Sequence, residues 1–231
     1  GIEVTTGPLG QGVANAIGLA LAEHWLRARF GPQLFDHHTF AFCGDGDLEE
    51  GISHESASLA GHLGLGKLVL VYDDNHISID GPTELALSDD APKRFEAYGW
   101  HVENVGEIGE DVDALEAALR RAMDVDDRPS IVVLRSHIGY PSPSYTDTAH
   151  AHGNPFGDDE IAATKAVMGM PDEPFWVPDD VLEHMRAAGT RGREAREAWD
   201  ALHAGWTEDR DALDAALGAT GLEGWREVLP T

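Results

Sequence analysis

The sequence predicts an α/β fold, a parallel sheet flanked by helices, with a mainly helical C-terminal extension. Two features carry this reading. Short apolar runs of strand length alternate with stretches of helical periodicity up to Arg135, and the texture then changes to a Pro-, Ser- and His-rich segment followed by helical patterns. Strands that alternate with helices form βαβ units, and these make a parallel sheet.

Taken in order, Val13–Phe30 carries small and apolar residues at helical spacing, through Ala16, Ala20, Leu21 and Trp25, and Gly31-Pro32 stops it. Thr39–Cys43 reads as a buried strand. Leu48–Leu63 reads as one helix with Ser, Ala and Gly on much of its surface, and Leu68–Tyr72 as a second buried strand. A short helix at Ala91–Tyr98 and a third strand at His101–Val105 come next. Asp111–Met123 is amphipathic, with Val112, Leu115, Ala118, Leu119 and Ala122 as its apolar stripe, and Ser130–Arg135 is the fourth strand. From Ile138, "GYPSPSYTDTAHAHGNPFG" reads as a long loop, a length that is usually functional inside a compact domain. Helical patterns dominate from Asp158. Within them "RAAGTRGREAREAWDALHAGW" reads as a solvated helix laced with ion pairs.

Lys and Arg number 16 against 42 Asp and Glu, a formal net charge of −26. Such a chain repels phosphate backbones and anionic membrane surfaces, so neither nucleic acid nor membrane is expected as a partner. No apolar run approaches the ~20 residues of a membrane span, and no secretory signal opens the chain. Cys43 is the single cysteine; it excludes an internal disulfide framework, is expected to pack at a strand end, and suits a cytoplasmic location. Gly1–Gly12 already reads as a structured loop, so the chain is expected to start inside a domain.

The chemistry centres on "FCGDGDLEEG". This stretch follows a strand and precedes a helix, and ligands of open parallel sheets sit beyond the carboxyl ends of the strands. Gly44 and Gly46 permit a tight turn and close backbone approach, and a helix N-terminus suits a phosphate. Alone, GDG fits equally a plain turn with an Asp cap. The next strand, however, ends in "DDNHISIDG", with 28 residues between Gly46 and Asn75, room for one helix and one return strand. Both turns then lie at one sheet edge. Asp45 offers a carboxylate oxygen, Asn75 an amide oxygen and Ile77 a backbone carbonyl. With diphosphate oxygens and a water these make an octahedral Mg²⁺ site, or hold Ca²⁺ or Mn²⁺ in its place. Asp73 and Asp74 are expected as supporting or solvated acids.

GDG, 28 residues, then Asn is the diphosphate-and-metal motif of thiamine diphosphate enzymes. The words "GIEVTTGPLGQGVANAIGLALAE", "GISHESASLAGHLGLGKLVLVYDDNHISIDG" and "KRFEAYGWHV" closely resemble transketolase, from Gly1 to about Gly157 and more loosely beyond. The resemblance implies a thiamine diphosphate-binding fold over residues 1–231, the latter part of that family's first domain without its own N-terminal segment. Residues 170–231 would form a helical extension leading toward an absent pyrimidine-binding domain. It implies thiamine diphosphate and Mg²⁺ as cofactors, sugar phosphates as substrates, two-carbon ketol transfer as the reaction, and a homodimer when complete. Asp45, Asn75 and Ile77 would hold the metal, with Asn75 also counted among the cofactor contacts. The Gly46 backbone would touch the diphosphate, and Gly7 and Leu9 would lie along the cofactor. Ile79 and Ile138 would pack on its rings, although by themselves they read as ordinary strand-end core.

His152 in "AHAHG" matches the family histidine that contacts cofactor and substrate, and a loop histidine suits proton transfer near neutral pH. His150 stands two places before it where many relatives have a histidine three before, so its role stays open. Glu50 and Glu55 match glutamates near the family's subunit interface; for Glu50 a place near a helix N-terminus explains it as well. The glutamate that activates the cofactor lies, in this family, on the pyrimidine-binding domain, so the chain is expected to be a portion or split subunit that is inactive alone. Two alternatives remain: a related sugar enzyme such as dihydroxyacetone synthase or a deoxyxylulose-phosphate synthase, and a non-catalytic assembly module of the same fold.

Overall fold

The computed structural model describes residues 2–107, 111–220, 224 and 227. Its elements are α1 (Gln11–Phe30), β1 (Thr39–Gly44), α2 (Asp45–Glu49), α3 (Gly51–Leu63), β2 (Leu68–Asp74), β3 (Ile77–Ser78) and β4 (Gly81–Pro82). A 3₁₀ turn at Thr83–Leu85 is followed by α4 (Ala91–Ala97), β5 (His101–Glu107), α5 (Val112–Met123) and β6 (Ser130–Arg135). Then come α6 (Ala149–Gly153), α7 (Asp158–Val167), α8 (Asp179–Gly205) and α9 (Arg210–Leu217). The chain divides into two compact units, one of Gly1–His24 with His37–Pro174 and one of Trp25–Asp36 with Phe175–Thr231.

The first unit holds a four-stranded sheet in the order β1-β2-β6-β5, every pairing parallel. β2 is central and covered on both faces, which is why Leu68–Tyr72 is an unbroken apolar run. One face carries Leu68, Leu70, Tyr72, Ile131 and Val133 against Val13, Ile17, Ala57, Phe95 and Trp100 from the helical side. The other carries Val69 and Val132 against Ala118 and Ala122 of α5. β1 is an edge strand, and its alternation leaves Phe40 and Phe42 largely exposed.

Register positions the site. β1 pairs with β2 so that Cys43 stands opposite Tyr72 and Gly44 opposite Asp73. β2 pairs with β6 so that Asp74 stands opposite Arg135. Three strand ends are therefore level, and the turns that leave β1 and β2 emerge side by side.

Several expectations are corrected. The helix predicted at Leu48–Leu63 is two helices, because Glu50 is extended (φ −74°, ψ 138°) and turns the chain between a single-turn α2 and α3. A one-turn helix has little aligned dipole, so the N-terminal phosphate argument loses its force here. The small residues of α3 face inward: Ser53, Ala57 and Ala60 are buried, while Ile52 and Leu59 look outward. A Cβ on Gly61 would collide with the Tyr98 carbonyl, and Trp100 Nε1 donates to the Ala57 carbonyl at 2.8 Å, so α3 needs small residues to reach the α4–β5 turn. Val112, assigned to the α5 stripe, opens the helix and is 71% exposed. The predicted loop after Ile138 contains α6, which carries both His150 and His152.

The second unit gathers Phe30, Leu34, Phe35 and Leu213, with Leu26 and Trp206 beside them. Trp199 Nε1 donates to the Leu34 carbonyl at 2.9 Å. As expected of a solvated helix, α8 has no buried residue, and Arg196 pairs with Asp200 one turn on at 2.8 Å. Residues 221–223, 225–226 and 228–231, the end of the predicted extension, lie outside the described residues, as does Gly1. No helix among the described residues is long and apolar enough to cross a membrane.

Candidate functional site

Asp45 opens α2 immediately beyond β1 and is 5% exposed. Tyr72, near the end of β2 and on the core face, reaches it: the phenol donates to Asp45 Oδ1 at 2.7 Å and lies 3.1 Å from Asp74 Oδ1. The other oxygen, Asp45 Oδ2, is buried with no hydrogen-bond partner. Burial raises the Asp45 carboxyl above its ordinary 3.8, with the Tyr72 hydrogen bond opposing and the Asp74 charge adding to the rise. Burial also pushes the Tyr72 phenol far upward, with the neighbouring Asp45 contributing, so Tyr72 remains a donor. A buried carboxylate oxygen without a partner is costly, and a bound cation is one species that can satisfy it.

Asn75 follows β2. Its amide is oriented by two contacts: Oδ1 accepts the Ile77 N–H at 3.0 Å, and Nδ2 donates to Asp73 Oδ2 at 3.2 Å. That leaves Oδ1 one further lone pair. Ile77 begins the two-stranded β3–β4 ribbon, opposite Pro82. The supporting role expected for the two neighbouring acids is what the side chains display. Asp73 accepts from Ser136 Oγ and from Asn75, and Asp74 from Tyr72, while His76 bridges Asp74 at 3.2 Å and Glu84 at 3.3 Å. From β6, Arg135 Nη1 donates to the Asp74 carbonyl at 2.8 Å, pinning the end of β2.

Leu9 lies over Gly46: a Cβ on Gly46 would stand 3.3 Å from Leu9 Cδ1, so a side chain there would displace it. Around Gly7 nothing of the chain comes within 4 Å of a Cβ position, an open place beside a half-exposed Leu9. Ile79 is 70% exposed, two residues beyond Ile77. Ile138 is half-buried after β6, and its carbonyl accepts the Asp147 N–H at 2.9 Å. α6 lies beside β3, which brings the helix of His152 to the ribbon that carries Ile77. His152 and His150 are both exposed, and the His150 ring lies tilted against Tyr145, ring centroids 4.1 Å apart. Glu50 and Glu55 are both exposed on this chain. Cys43 packs at the end of β1, 4% exposed, and burial with the nearby acids pushes its thiol upward, so it packs rather than reacts.

Asn75 and Ile77 are thus joined by a direct hydrogen bond, Leu9 lies over Gly46, and Asp45 is tied to β2 through Tyr72. Sequence reasoning missed Tyr72 and Asp47. Tyr72 had a signal, since it keeps the period-two face of Leu68 and Leu70 and is the polar tip of that face. Among the described residues no group of three or more His, Cys, Asp or Glu side chains is arranged to hold a metal. A cation at Asp45 would therefore draw on one carboxylate, one amide, a backbone carbonyl and oxygens of its ligand, a hard-oxygen set suited to Mg²⁺.

An open parallel sheet with a buried, half-satisfied carboxylate at its carboxyl edge and a glycine turn under an open loop defines a cofactor-binding α/β domain. More narrowly, the chain belongs to the transketolase thiamine diphosphate-binding family, whose model, described as transketolase, thiamine diphosphate binding domain, matches residues 1–222. A transketolase of Nostoc is 44% identical over the whole chain, which covers 36% of that relative. The chloroplastic transketolase-1 of Arabidopsis thaliana is 46% identical, with 32% of it covered. Among solved structures, transketolase from Leishmania mexicana matches the whole chain with a TM-score of 0.91 at 40% identity, covering 36% of that protein. A Pichia stipitis transketolase complexed with sedoheptulose 7-phosphate matches with a TM-score of 0.90 at 38% identity, 35% of it covered. The chain spans about a third of the length of these relatives.

Proposed function

We propose that this chain is the diphosphate- and metal-holding part of a transketolase, which moves a two-carbon ketol unit from a ketose phosphate to an aldose phosphate. The observation that carries the proposal is Asp45 Oδ2, buried and unpartnered beside Asn75. In this reading Asp45, the Asn75 amide oxygen and the Ile77 carbonyl would hold Mg²⁺, and the Gly46 backbone would meet the diphosphate. Thiamine diphosphate, when bound, supplies the nucleophilic carbon and the electron sink for breaking and remaking a carbon–carbon bond. Gly7 leaves room for it, Leu9 lies along it, and Ile79 and Ile138 pack on its rings and exclude water. His152 would donate to the ketose carbonyl oxygen, on which negative charge develops as its carbon is attacked, a contact that strengthens in that transition state. The pyrimidine-binding domain, carried on another chain or segment, completes the site in a cytoplasmic homodimer. The Pichia stipitis complexes with xylulose 5-phosphate and sedoheptulose 7-phosphate support sugar phosphates as substrates.

Calorimetric titration tests the metal assignment. In the assembled enzyme, Mg²⁺-dependent thiamine diphosphate binding is expected in the wild type and absent in Asp45→Ala, which loses the one carboxylate ligand. Unchanged affinity in the variant would overturn the assignment.

A further inference from the structure

We propose that Asp47 is a positioning residue for the cofactor site: it clamps the Thr5–Gly10 loop onto the Asp45–Gly46 turn. The two segments are far apart in sequence, yet one carboxylate joins them. Asp47 Oδ1 accepts the Gly10 N–H at 2.9 Å, and Asp47 Oδ2 accepts the Gly44 N–H at 2.9 Å. Its backbone carbonyl accepts from Ser53 Oγ at 2.5 Å, which ties the clamp across the elbow between α2 and α3. Gly10 fits the elbow only as glycine. Its φ is +74°, and a Cβ there would stand 2.8 Å from Glu50 Cβ and 3.0 Å from Ser53 Oγ. The extended backbone at Glu50 therefore has a purpose beyond turning the chain, since it makes the recess in which Gly10 sits.

The clamp fixes what the cofactor would meet. Leu9 immediately precedes Gly10 and lies over Gly46, and Gly44 immediately precedes Asp45. With both N–H groups on one carboxylate, the loop bearing Gly7 and Leu9 and the turn bearing Asp45 and Gly46 are held at a fixed separation before any ligand arrives. Hydrogen bonds to a charged acceptor are stronger than neutral ones, and a pre-set site avoids the cost of ordering a loop on binding. Asp47 holds a backbone donor on each oxygen, which fixes the orientation of its carboxylate. It acts through the loop and turn and touches neither cofactor nor substrate.

The inference rests on the thiamine diphosphate reading, and its test separates the two. Asp47→Ala removes both acceptors, and Asp47→Asn keeps one acceptor oxygen. In the assembled enzyme, the thiamine diphosphate dissociation constant at saturating Mg²⁺ is expected to rise about tenfold in Asp47→Ala and by a smaller factor in Asp47→Asn. Because Asp47 touches no reacting atom, kcat at saturating cofactor should recover to within about twofold of wild type, so the loss appears in the cofactor KM alone. Hydrogen exchange should quicken at the Gly10 and Gly44 amides and stay unchanged in β2 and β6. Wild-type affinity in Asp47→Ala would overturn the clamp. So would a kcat deficit that saturating cofactor fails to restore, or a uniform rise in exchange with a collapsed melting temperature. If the wild type itself bound no thiamine diphosphate, the proposed function would fall, and the exchange at Gly10 and Gly44 would still decide the clamp.

Discussion

His150 and His152 sit two residues apart on α6, yet they face different tasks. His150 lies tilted against Tyr145, which in turn packs at 5.2 Å on Phe156, so its ring belongs to the packing of the segment after β6. His152 is exposed on the helix that lies beside the Ile77 ribbon. Removal of the His152 ring leaves no core cavity. On the proposed reading it deprives the transition state of a donor, a loss worth ~10²–10³ in rate. His152→Ala is expected to lower kcat/KM by about that factor in the assembled enzyme while the melting temperature hardly moves. His150→Ala should do the reverse, costing about 0.5–1.5 kcal/mol of stability for the lost aromatic contact and little rate. Steady-state kinetics and melting curves on both variants check this pair. A crippled His150→Ala would mean that the catalytic histidine had been placed two residues too late.

Among the elements, α3 shows how close approach reverses an ordinary preference. Within an exposed helix Gly→Ala gains about 1 kcal/mol. At Gly61 the added methyl would meet the Tyr98 carbonyl, which is backbone and cannot swing aside. Gly61→Ala is therefore expected to destabilise by about 1–3 kcal/mol in urea unfolding, as overpacking does. A gain in stability would show that α3 has room to slide. The segment before α6 depends on a different device. Glu160, in the first turn of α7, accepts from Ser142 Oγ and from the Ser144 N–H at 2.8 Å, and these bonds, Ser142 first, hold its carboxyl below its ordinary 4.5. A carboxyl depressed in the folded state contributes stability that is present above its unfolded value and lost as pH falls through the folded one. Protection of the Ser144 amide should hold at pH 6 and fall away only as acid protonates Glu160 in the folded chain, below its ordinary 4.5, and Glu160→Gln should flatten that dependence. Identical exchange profiles for the two proteins would refute the assignment.

For the molecule as a whole, length is the governing fact. The chain spans about a third of each relative, and on the proposed reading it carries the metal corner while another domain completes the reaction. The purified chain, given thiamine diphosphate and Mg²⁺, should show no ketol transfer from xylulose 5-phosphate to ribose 5-phosphate in a coupled assay. Turnover by this polypeptide alone would refute the view that another domain completes the site.

The alternation of apolar runs with helical periods was enough to specify the parallel sheet, because strand and helix differ in period and the connections between parallel strands must be long. It was enough, too, to bring Asp45 and Asn75 to one edge, since one helix and one return strand fix that separation. Thr39–Gly44 and Leu68–Asp74 then needed only the in-register pairing that level strand ends supply. Three things were not legible. Glu50 breaks a helix whose local sequence has no proline, and Gly10, distant in the chain, packs against the break. Asp47, which reads as one more acid in an acidic run, is committed to two backbone donors, one of them distant in the chain. Val112 fits the apolar stripe of α5 and still faces solvent at the start of that helix. Periodicity is a property of neighbours along the chain and survives in the sequence. A hydrogen bond to a distant glycine, the edge of a sheet and the oxygen left without a partner on Asp45 exist only once distant segments have met.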